Sequence, residues 1–226
     1  MEPTHLHRGL VLRLSKGFSL IELIVVLAII GVIMSIVITS QSTFNKTLIL
    51  KNSAYDIALT LRNAETYGLG SRAPGIGTTA NTGYGVHFES STPGAFILFA
   101  DTYPSSPNAS NCHGMPSGGA GAPDAQPGDC IYTASQDQKV TEYTLRNNIM
   151  VSDFCVFNGN AWTCATQGGP SSLDIVFARP NSDAFIRADG SPYTSACLQV
   201  VSPQGGVRFV SIAASGQIIA NAASCP

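Results

Sequence analysis

The sequence has few charged residues: Asp, Glu, Lys and Arg make up only 12% of its 226 residues, against about 25% in ordinary soluble domains. The charges nearly balance, with 12 basic and 14 acidic residues, and the basic residues form no run. Such a chain has no general electrostatic footprint for nucleic acid or for an anionic lipid surface. The shortage of charge does not indicate disorder, because 44% of the residues are hydrophobic and can form a core.

Catalytic and cofactor signatures are also missing. Only His87 and His113 follow the first 17 residues, and the chain has no Walker motif and no Cys-x-x-Cys pair. Metal-ligand residue types cluster in a single loop, as Cys112, His113, Asp124, Asp129 and Cys130. Their spacing is looser than that of a zinc site, and no EF-hand spacing appears, so calcium binding stays open. We predict no enzymatic activity and no cofactor.

The sequence does contain one long apolar run, residues 18–38, with a single charge at Glu22. As a helix, a run of this length spans the roughly 30 Å hydrocarbon core of a bilayer. The basic residues Arg8, Arg13 and Lys16 precede it, which holds the leader in the cytoplasm. The run is too long for a secretory signal peptide. Because a carboxylate inside an apolar span costs about 2.5–3.5 kcal/mol on insertion scales, Glu22 indicates a function or a partner.

A second, amphipathic half extends the helix across residues 39–69. Its apolar positions recur at helical spacings of three or four: Phe44, Leu48, Ala54, Tyr55, Ala58, Leu61 and Ala64. Asp56, Arg62 and Glu65 occupy the other side, and Arg62 with Glu65 is spaced for an ion pair. No proline occurs between residues 18 and 72, and Gly68 and Gly70 are natural stops. We therefore predict one helix over residues 18–69.

Residues 70–226 predict a β-rich head, because short strand patterns alternate with turn signals. The predicted strands are residues 84–89, 95–100, 131–133, 139–145, 149–157, 173–178, 184–188, 197–202, 207–213 and 217–220. Short strands of this kind favour an antiparallel sheet or two packed sheets. The Pro/Gly/Ser-rich residues 104–128 predict an exposed loop.

All six cysteines lie in the head, and an even count in an exported domain favours disulfides formed in an oxidising compartment. The sequence does not choose among the 15 connectivities that six cysteines permit. Our hypothesis is sequential pairing: Cys112–Cys130, Cys155–Cys164 and Cys197–Cys225.

The segment KGFSLIEL at residues 16–23 resembles the processing site of type IV pilins and type II secretion pseudopilins. The resemblance implies cleavage after Gly17 by a membrane prepilin peptidase and N-methylation of the new terminus at Phe18. It also implies an assembly role for Glu22, whose carboxylate would neutralise the Phe18 amine of a neighbouring subunit.

The resemblance further implies an α+β, pilin-like fold with one long N-terminal helix packed on an antiparallel β-rich head. Residues 1–17 would be a cytoplasmic leader that is removed, and residues 18–38 a transmembrane segment. Residues 39–69 would be amphipathic and residues 70–226 an extracytoplasmic, disulfide-bonded head. The pattern of residues 83–101, 173–180 and 207–219 resembles the head of GspH/FimT-type minor pseudopilins.

These features predict a structural subunit of a type IV pilus or pilus-like filament. The alternatives are a minor pseudopilin of a type II secretion system and a membrane-anchored binding domain. The expected partners are prepilin peptidase, other pilin subunits through the helix core and an inner-membrane assembly platform, but not nucleic acid. We expect a cytoplasmic or inner-membrane location before assembly, with a single membrane pass and the N-terminus inside, and a cell-surface or periplasmic filament afterwards.

Overall fold

The computed structural model describes residues 17, 19–70, 72–75, 82–105, 127–179, 182–222 and 224–225, with side chains 39–45 outside the description. The chain divides into two compact units, Met1–Phe44 and Asn45–Pro226. Helix α1, Leu20–Leu69, has 50 residues and contributes to both. The predicted helix over residues 18–69 is therefore confirmed to within two residues at its start and ends where predicted.

In the first unit, α1 is apolar on all sides. Leu20–Ile38 has a mean hydropathy of 3.0 with none of that window buried within the chain, and it is long and apolar enough to cross a membrane. A helix that is hydrophobic all round needs lipid or protein around it. This segment is consistent with membrane anchoring.

In the second unit, one face of α1 packs into the head core. The buried positions are Leu50, Ala54, Ile57, Ala58, Leu61 and Ala64. Ser53 and Thr60 are buried with them because their hydroxyls donate to Ile49 O at 3.1 Å and Asp56 O at 2.9 Å. Outside this face, the expected ion pair between Arg62 and Glu65 is confirmed at 2.8 Å.

Two residues of the predicted apolar stripe face solvent instead. Tyr55 is 56% exposed and Leu48 is 39% exposed. At about 100° per residue, the buried positions such as Ala54 and Ile57 share one arc of the helix, and Tyr55 falls outside that arc. The predicted apolar stripe therefore included positions from both the buried face and the exposed face of the helix. The Phe44 side chain lies outside the described residues.

Helix α1 ends where a glycine lets it approach the head. A Cβ on Gly68 would collide with the main-chain carbonyl of Phe177. Gly70 N then donates to Thr66 O at 2.9 Å and closes the last turn. Any residue other than glycine at position 68 would push the helix away from the sheet.

The described residues of the head form eleven strands in two antiparallel sheets. In chain order they are β1 Gly83–Glu89, β2 Ala95–Asp101, β3 Gln138–Thr144, β4 Met150–Phe157, β5 Trp162–Cys164, β6 Ser172–Phe177, β7 Ala184–Ala188, β8 Ser191–Tyr193, β9 Ser195–Val201, β10 Val207–Ala213 and β11 Ile218–Ala222. Sheet A has the order β3-β2-β1-β6-β7-β8, and sheet B the order β11-β10-β9-β4-β5. The architecture is α+β and pilin-like, as the sequence predicts.

Nine of the ten predicted strands are present, each within two residues of its predicted ends. The strand predicted at residues 131–133 is wrong, because the backbone N–H groups of all three residues bond to aspartate carboxylates instead of a neighbouring strand. The pattern missed β5 and β8, which have three residues each. β8 contains Pro192, which a sheet tolerates there because β8 is an edge strand.

The main core joins α1 to the inner faces of both sheets. Tyr84, Val86 and Phe88 of β1 point inward with Ile175 of β6 and Leu198 of β9. The alternate residues of sheet A point to its outer face, where Phe99, Val176 and Phe185 form a second, smaller cluster with Cys130 and Ala178. Of the predicted 104–128 loop, residues 106–126 lie outside the described part of the chain.

Candidate processing and assembly site

Gly17 precedes α1 and is exposed. No described atom other than its chain neighbours lies within 4 Å of the position that a Cβ would occupy. Cleavage on the C-terminal side of Gly17 stays a prediction. Phe18, the predicted site of N-methylation, lies outside the described residues, so its modification stays a prediction.

Glu22 lies in the first turn of α1 and is exposed. That turn is closed by Leu23 N, which donates to Ser19 O at 3.1 Å. An acidic side chain is favourable here because the unpaired N–H groups give a helix N-terminus a partial positive charge. Among the described residues of the single chain, no ion pair to Glu22 is recorded. Full compensation of its charge in an apolar environment needs another group.

An apolar helix surface surrounds Glu22. Exposed fractions of the large apolar side chains range from 75% at Leu20 to 42% at Val37. An exposed apolar surface of this extent marks a membrane or protein contact. Glu22 is thus the one acid in the apolar segment Leu20–Ile38, and none of that segment's apolar window is buried among the residues that the structure describes.

The family described as the prokaryotic N-terminal methylation motif matches residues 12–38, which include Gly17, Phe18 and Glu22. The chain is type IV pilin-like. The motif and the apolar helix segment that it contains support a type IV pilin-like precursor, and they imply a membrane-associated substrate of prepilin peptidase. The match covers the N-terminal segment alone, and no curated protein or solved structure matches the chain. The resemblance of its head to minor pseudopilins stays a prediction.

Disulfides join neighbouring parts of sheet B. Cys155 and Cys164 are bonded, and they are direct cross-strand partners on β4 and β5. Cys197 on β9 is bonded to Cys225 near the C-terminus, 28 residues along the chain. Both pairs agree with the sequential hypothesis. Cys130 is also disulfide-bonded, while Cys112, its predicted partner, lies outside the described residues.

The structure describes two of the five residues of metal-ligand types that cluster in the loop, Asp129 and Cys130. Oxidation of Cys130 removes it as a thiolate ligand, and Asp129 Oδ1 accepts a hydrogen bond from Ile131 N at 3.1 Å. Cys112, His113 and Asp124 lie outside the described residues. Within the described part, the one group of converging ligand atoms is Asp153, Cys155 and Cys164, whose sulfurs are bonded to each other.

The head also holds buried polar residues that the sequence analysis missed. His87 on β1 was expected to be a sheet residue, and it is, but its Nδ1 lies 2.7 Å from Oδ1 of the fully buried Asp174. Asp101 and Asp137 are buried as well. The sequence signal that could have revealed a buried carboxylate is an aspartate within an apolar strand, as in the segment LDIVF at residues 173–177.

Proposed function

We propose that this chain is a prepilin, the precursor of a structural subunit of a type IV pilus or pilus-like filament. Prepilin peptidase cleaves it after Gly17, the new terminus at Phe18 is methylated, and the mature chain assembles through α1. The observation that carries the proposal is the methylation motif at residues 12–38, whose apolar segment Leu20–Ile38 has none of its apolar window buried within the chain.

The second half of α1 supports packing between helices. Leu48, Tyr55 and Leu59 are 39%, 56% and 59% exposed, on the side of the helix opposite its buried face. They are seven and four residues apart, the spacing that forms a seam with another helix. This exposed stripe adds an apolar contact surface to the part of the helix that belongs to the head.

The carboxylate of Glu22 supplies specificity in this proposal. It pairs with the Phe18 amine of a neighbouring subunit, because either charge would be costly if left unpaired in an apolar bundle. As the one acid in the apolar segment Leu20–Ile38, Glu22 then sets the register between subunits. Release of the leader removes Arg8, Arg13, Lys16 and Glu2, and so leaves the mature chain more acidic.

A minor pseudopilin of a type II secretion system is the second candidate. The resemblance of residues 83–101, 173–180 and 207–219 to such proteins favours this candidate. These segments form β1, β2, β6 and β10, which are interior strands of the two sheets. The candidates differ in abundance, because a major pilin forms the bulk of its filament and a minor subunit does not.

Mass spectrometry of filaments sheared from the native cell surface tests the proposal. A dominant peptide that starts at methylated Phe18 identifies a major pilin. The same peptide, rare in filaments and retained in membranes, identifies a minor pilin or pseudopilin. A mature chain that still carries residues 1–17 would overturn the prepilin assignment.

A further inference from the structure

Three cysteines, here called the cysteine row, lie side by side on three neighbouring strands of sheet B. Cys155 on β4 is the direct cross-strand partner of Cys164 on β5 and also of Cys197 on β9. Side chains of directly opposed residues lie on the same face of a sheet. Because the adjacent residues Phe154 and Leu198 point into the main core, the alternation of side chains along a strand places the cysteine row on the outer face of sheet B.

The two disulfides of sheet B meet in the cysteine row. Cys155 is bonded to Cys164, and Cys197 is bonded to Cys225 near the C-terminus. The two inner residues, Cys155 and Cys197, belong to different bonds although they are opposed across β4 and β9. The four residues therefore follow the order Cys164, Cys155, Cys197, Cys225, with a bond at each end and an unbonded pair in the middle.

The spacing of the middle pair suits a disulfide. The Cα atoms of Cys155 and Cys164 lie 3.9 Å apart, as in the close, non-hydrogen-bonded type of cross-strand pair. Because the backbone of Cys155 then directs its N–H and C=O toward β9, Cys155 and Cys197 form the wider, hydrogen-bonded type, whose Cα atoms lie about 5.5 Å apart. A separation of this size is common in disulfides. A third pairing is therefore compatible with the observed strand register.

Burial separates the inner cysteines from the outer ones. Cys197 is fully buried and Cys155 is 9% exposed, whereas Cys164 and Cys225 are half-buried. Burial disfavours a charged thiolate, so the inner positions are the less favourable places for a free thiol group to ionise. After reduction by one dithiol, the four cysteines keep one bond, and a bond between the inner two leaves both thiols at the half-buried positions.

We propose that the cysteine row is a thiol–disulfide exchange relay. When a dithiol opens either observed bond, the inner sulfur that is released attacks the other bond, and the chain converts to a Cys155–Cys197 bond. Cys164 and Cys225 then carry free thiols. The exchange releases the C-terminal segment from β9, and the new bond prevents Cys197 from recapturing Cys225 directly.

The bonds, electrons and protons of the relay balance. A thiolate of the dithiol attacks Sγ of Cys225, and Cys197 leaves as a thiolate. The second thiol of the dithiol resolves its mixed disulfide with Cys225, so the dithiol is oxidised and the chain gains two electrons. The Cys197 thiolate attacks Sγ of Cys155, and Cys164 leaves as a thiolate. The two thiol protons of the dithiol reach Cys225 and Cys164 through the solvent.

The sheet aligns the reacting sulfurs. In thiol–disulfide exchange the attacking, attacked and leaving sulfurs lie nearly in line. The strands β9, β4 and β5 are neighbours in that order, about 4.8 Å apart, so Cys197 approaches Cys155 from the side opposite Cys164. The reverse entry gives the same product, because a dithiol that attacks Cys164 releases Cys155 next to Cys197.

A carboxylate lies beside the first bond of the relay and restrains the exchange. A carboxylate oxygen of Asp153 and the sulfurs of Cys155 and Cys164 all lie within 4.8 Å of one another. Thr166 holds this carboxylate, donating to it from its backbone N–H at 3.1 Å and from its hydroxyl. The negative charge of Asp153 repels a thiolate that approaches Cys155 and a thiolate that forms on Cys164.

Limited reduction of the full chain in detergent micelles tests the proposal. A substoichiometric amount of dithiothreitol is added, the free thiols are alkylated at mildly acidic pH after unfolding, and the linked cysteine peptides are mapped by mass spectrometry. Chains with two labels among the four cysteines should carry them on Cys164 and Cys225. The same chains should contain a linked Cys155–Cys197 peptide. Labels on both members of one observed bond, with the other bond intact, would overturn the proposal.

Two serine variants test the exchange without a reductant. Cys225→Ser leaves Cys197 without its partner, and the chain should then contain the Cys155–Cys197 bond. Its labelled thiol should be Cys164. Cys197→Ser is the matched control, because it removes the same bond together with the relaying sulfur, so the Cys155–Cys164 bond should persist. A Cys225→Ser chain that keeps the Cys155–Cys164 bond would overturn the proposal, and limited reduction of the unmodified chain decides alone if this variant does not fold.

A third variant measures the restraint by the carboxylate. Asp153→Asn keeps an oxygen to accept from Thr166 N but removes the charge. The Cys155–Cys197 product should therefore form about fivefold faster during limited reduction, as expected for the loss of one like charge at about 4 Å in water. Asp56→Asn, at an exposed acid on α1, is the control and should leave the rate unchanged. An unchanged rate in Asp153→Asn would contradict the restraint.

Discussion

The two halves of helix α1 are both rich in apolar residues but use them in different ways. From Leu20 to Ile38, none of the apolar window is buried within the chain. From Leu50 to Ala64, one face is buried against the sheets and the opposite face stays exposed. The second half of the helix packs in the core of the head. The exposed apolar surface of the first half can be covered only by lipid or by other molecules. Changes in the two halves should therefore have separable effects.

Blocking the cleavage should produce the largest effect. Gly17→Leu places a branched side chain where the Cβ position is now open, and prepilin peptidase should then no longer hold the backbone closely. We expect complete retention of residues 1–17, measured by the mass of the chain isolated from native membranes. Ser19→Ala is the control and should be processed normally. A cleaved Gly17→Leu chain would contradict the processing site.

Removing the charge of Glu22 should produce the second-largest effect. Glu22→Gln has nearly the same shape but cannot neutralise an amine, so incorporation into filaments should fall at least about tenfold, as expected when one partner of a buried charge pair is lost. Cleavage should be largely unaffected. Asp56→Asn, an exposed acid on the same helix, is the matched control. Incorporation of Glu22→Gln at the level of the unmodified chain would exclude charge pairing.

A pair of leucines two residues apart separates the two faces of α1. Leu61 is fully buried, so Leu61→Ala should destabilise the head by about 2–5 kcal/mol. Leu59 is 59% exposed, so Leu59→Ala should leave the head's unfolding free energy nearly unchanged and reduce assembly. Denaturant unfolding and filament yield measure the two effects. Equal loss of stability in both variants would show that the exposed stripe belongs to the head core.

The smallest expected effect concerns acid stability within the head. Burial alone would raise the pKa of Asp189, but hydrogen bonds from Ser171 and Ser172 outweigh it and hold the pKa below its ordinary value. A lowered pKa stabilises the fold above the ordinary carboxyl range, and the contribution is lost as the pH falls.

Asp189→Asn should therefore reduce the head's stability slightly near pH 6, and the difference should shrink as the pH falls below the ordinary carboxyl range, as followed by thermal unfolding. Asparagine tolerates the left-handed backbone of this position, where φ is 45°. Assembly should not change, because the residue lies in the self-contained head. A stability difference that grows toward low pH would contradict the assignment.

Local signals predicted much of the fold. The helix end at Leu69 follows from Gly68 and Gly70, and strands such as β7 and β10 were predicted at their observed bounds. Local patterns failed where distant groups decided the outcome. Residues 131–133 have strand-like side chains, but their N–H groups donate to aspartate carboxylates instead of to a neighbouring strand.

The sequence by itself determined the processing motif, the long apolar helix and the positions of most strands along the chain. Each of these features depends on residues that are close together in the sequence. Only the tertiary structure decided which face of α1 is buried and which charged side chains meet. His87, Asp174 and Arg187 are far apart in the chain, and they form one row because β6 pairs with both β1 and β7. Strand register is set by packing across the whole sheet, so this row of side chains exists only in the folded head.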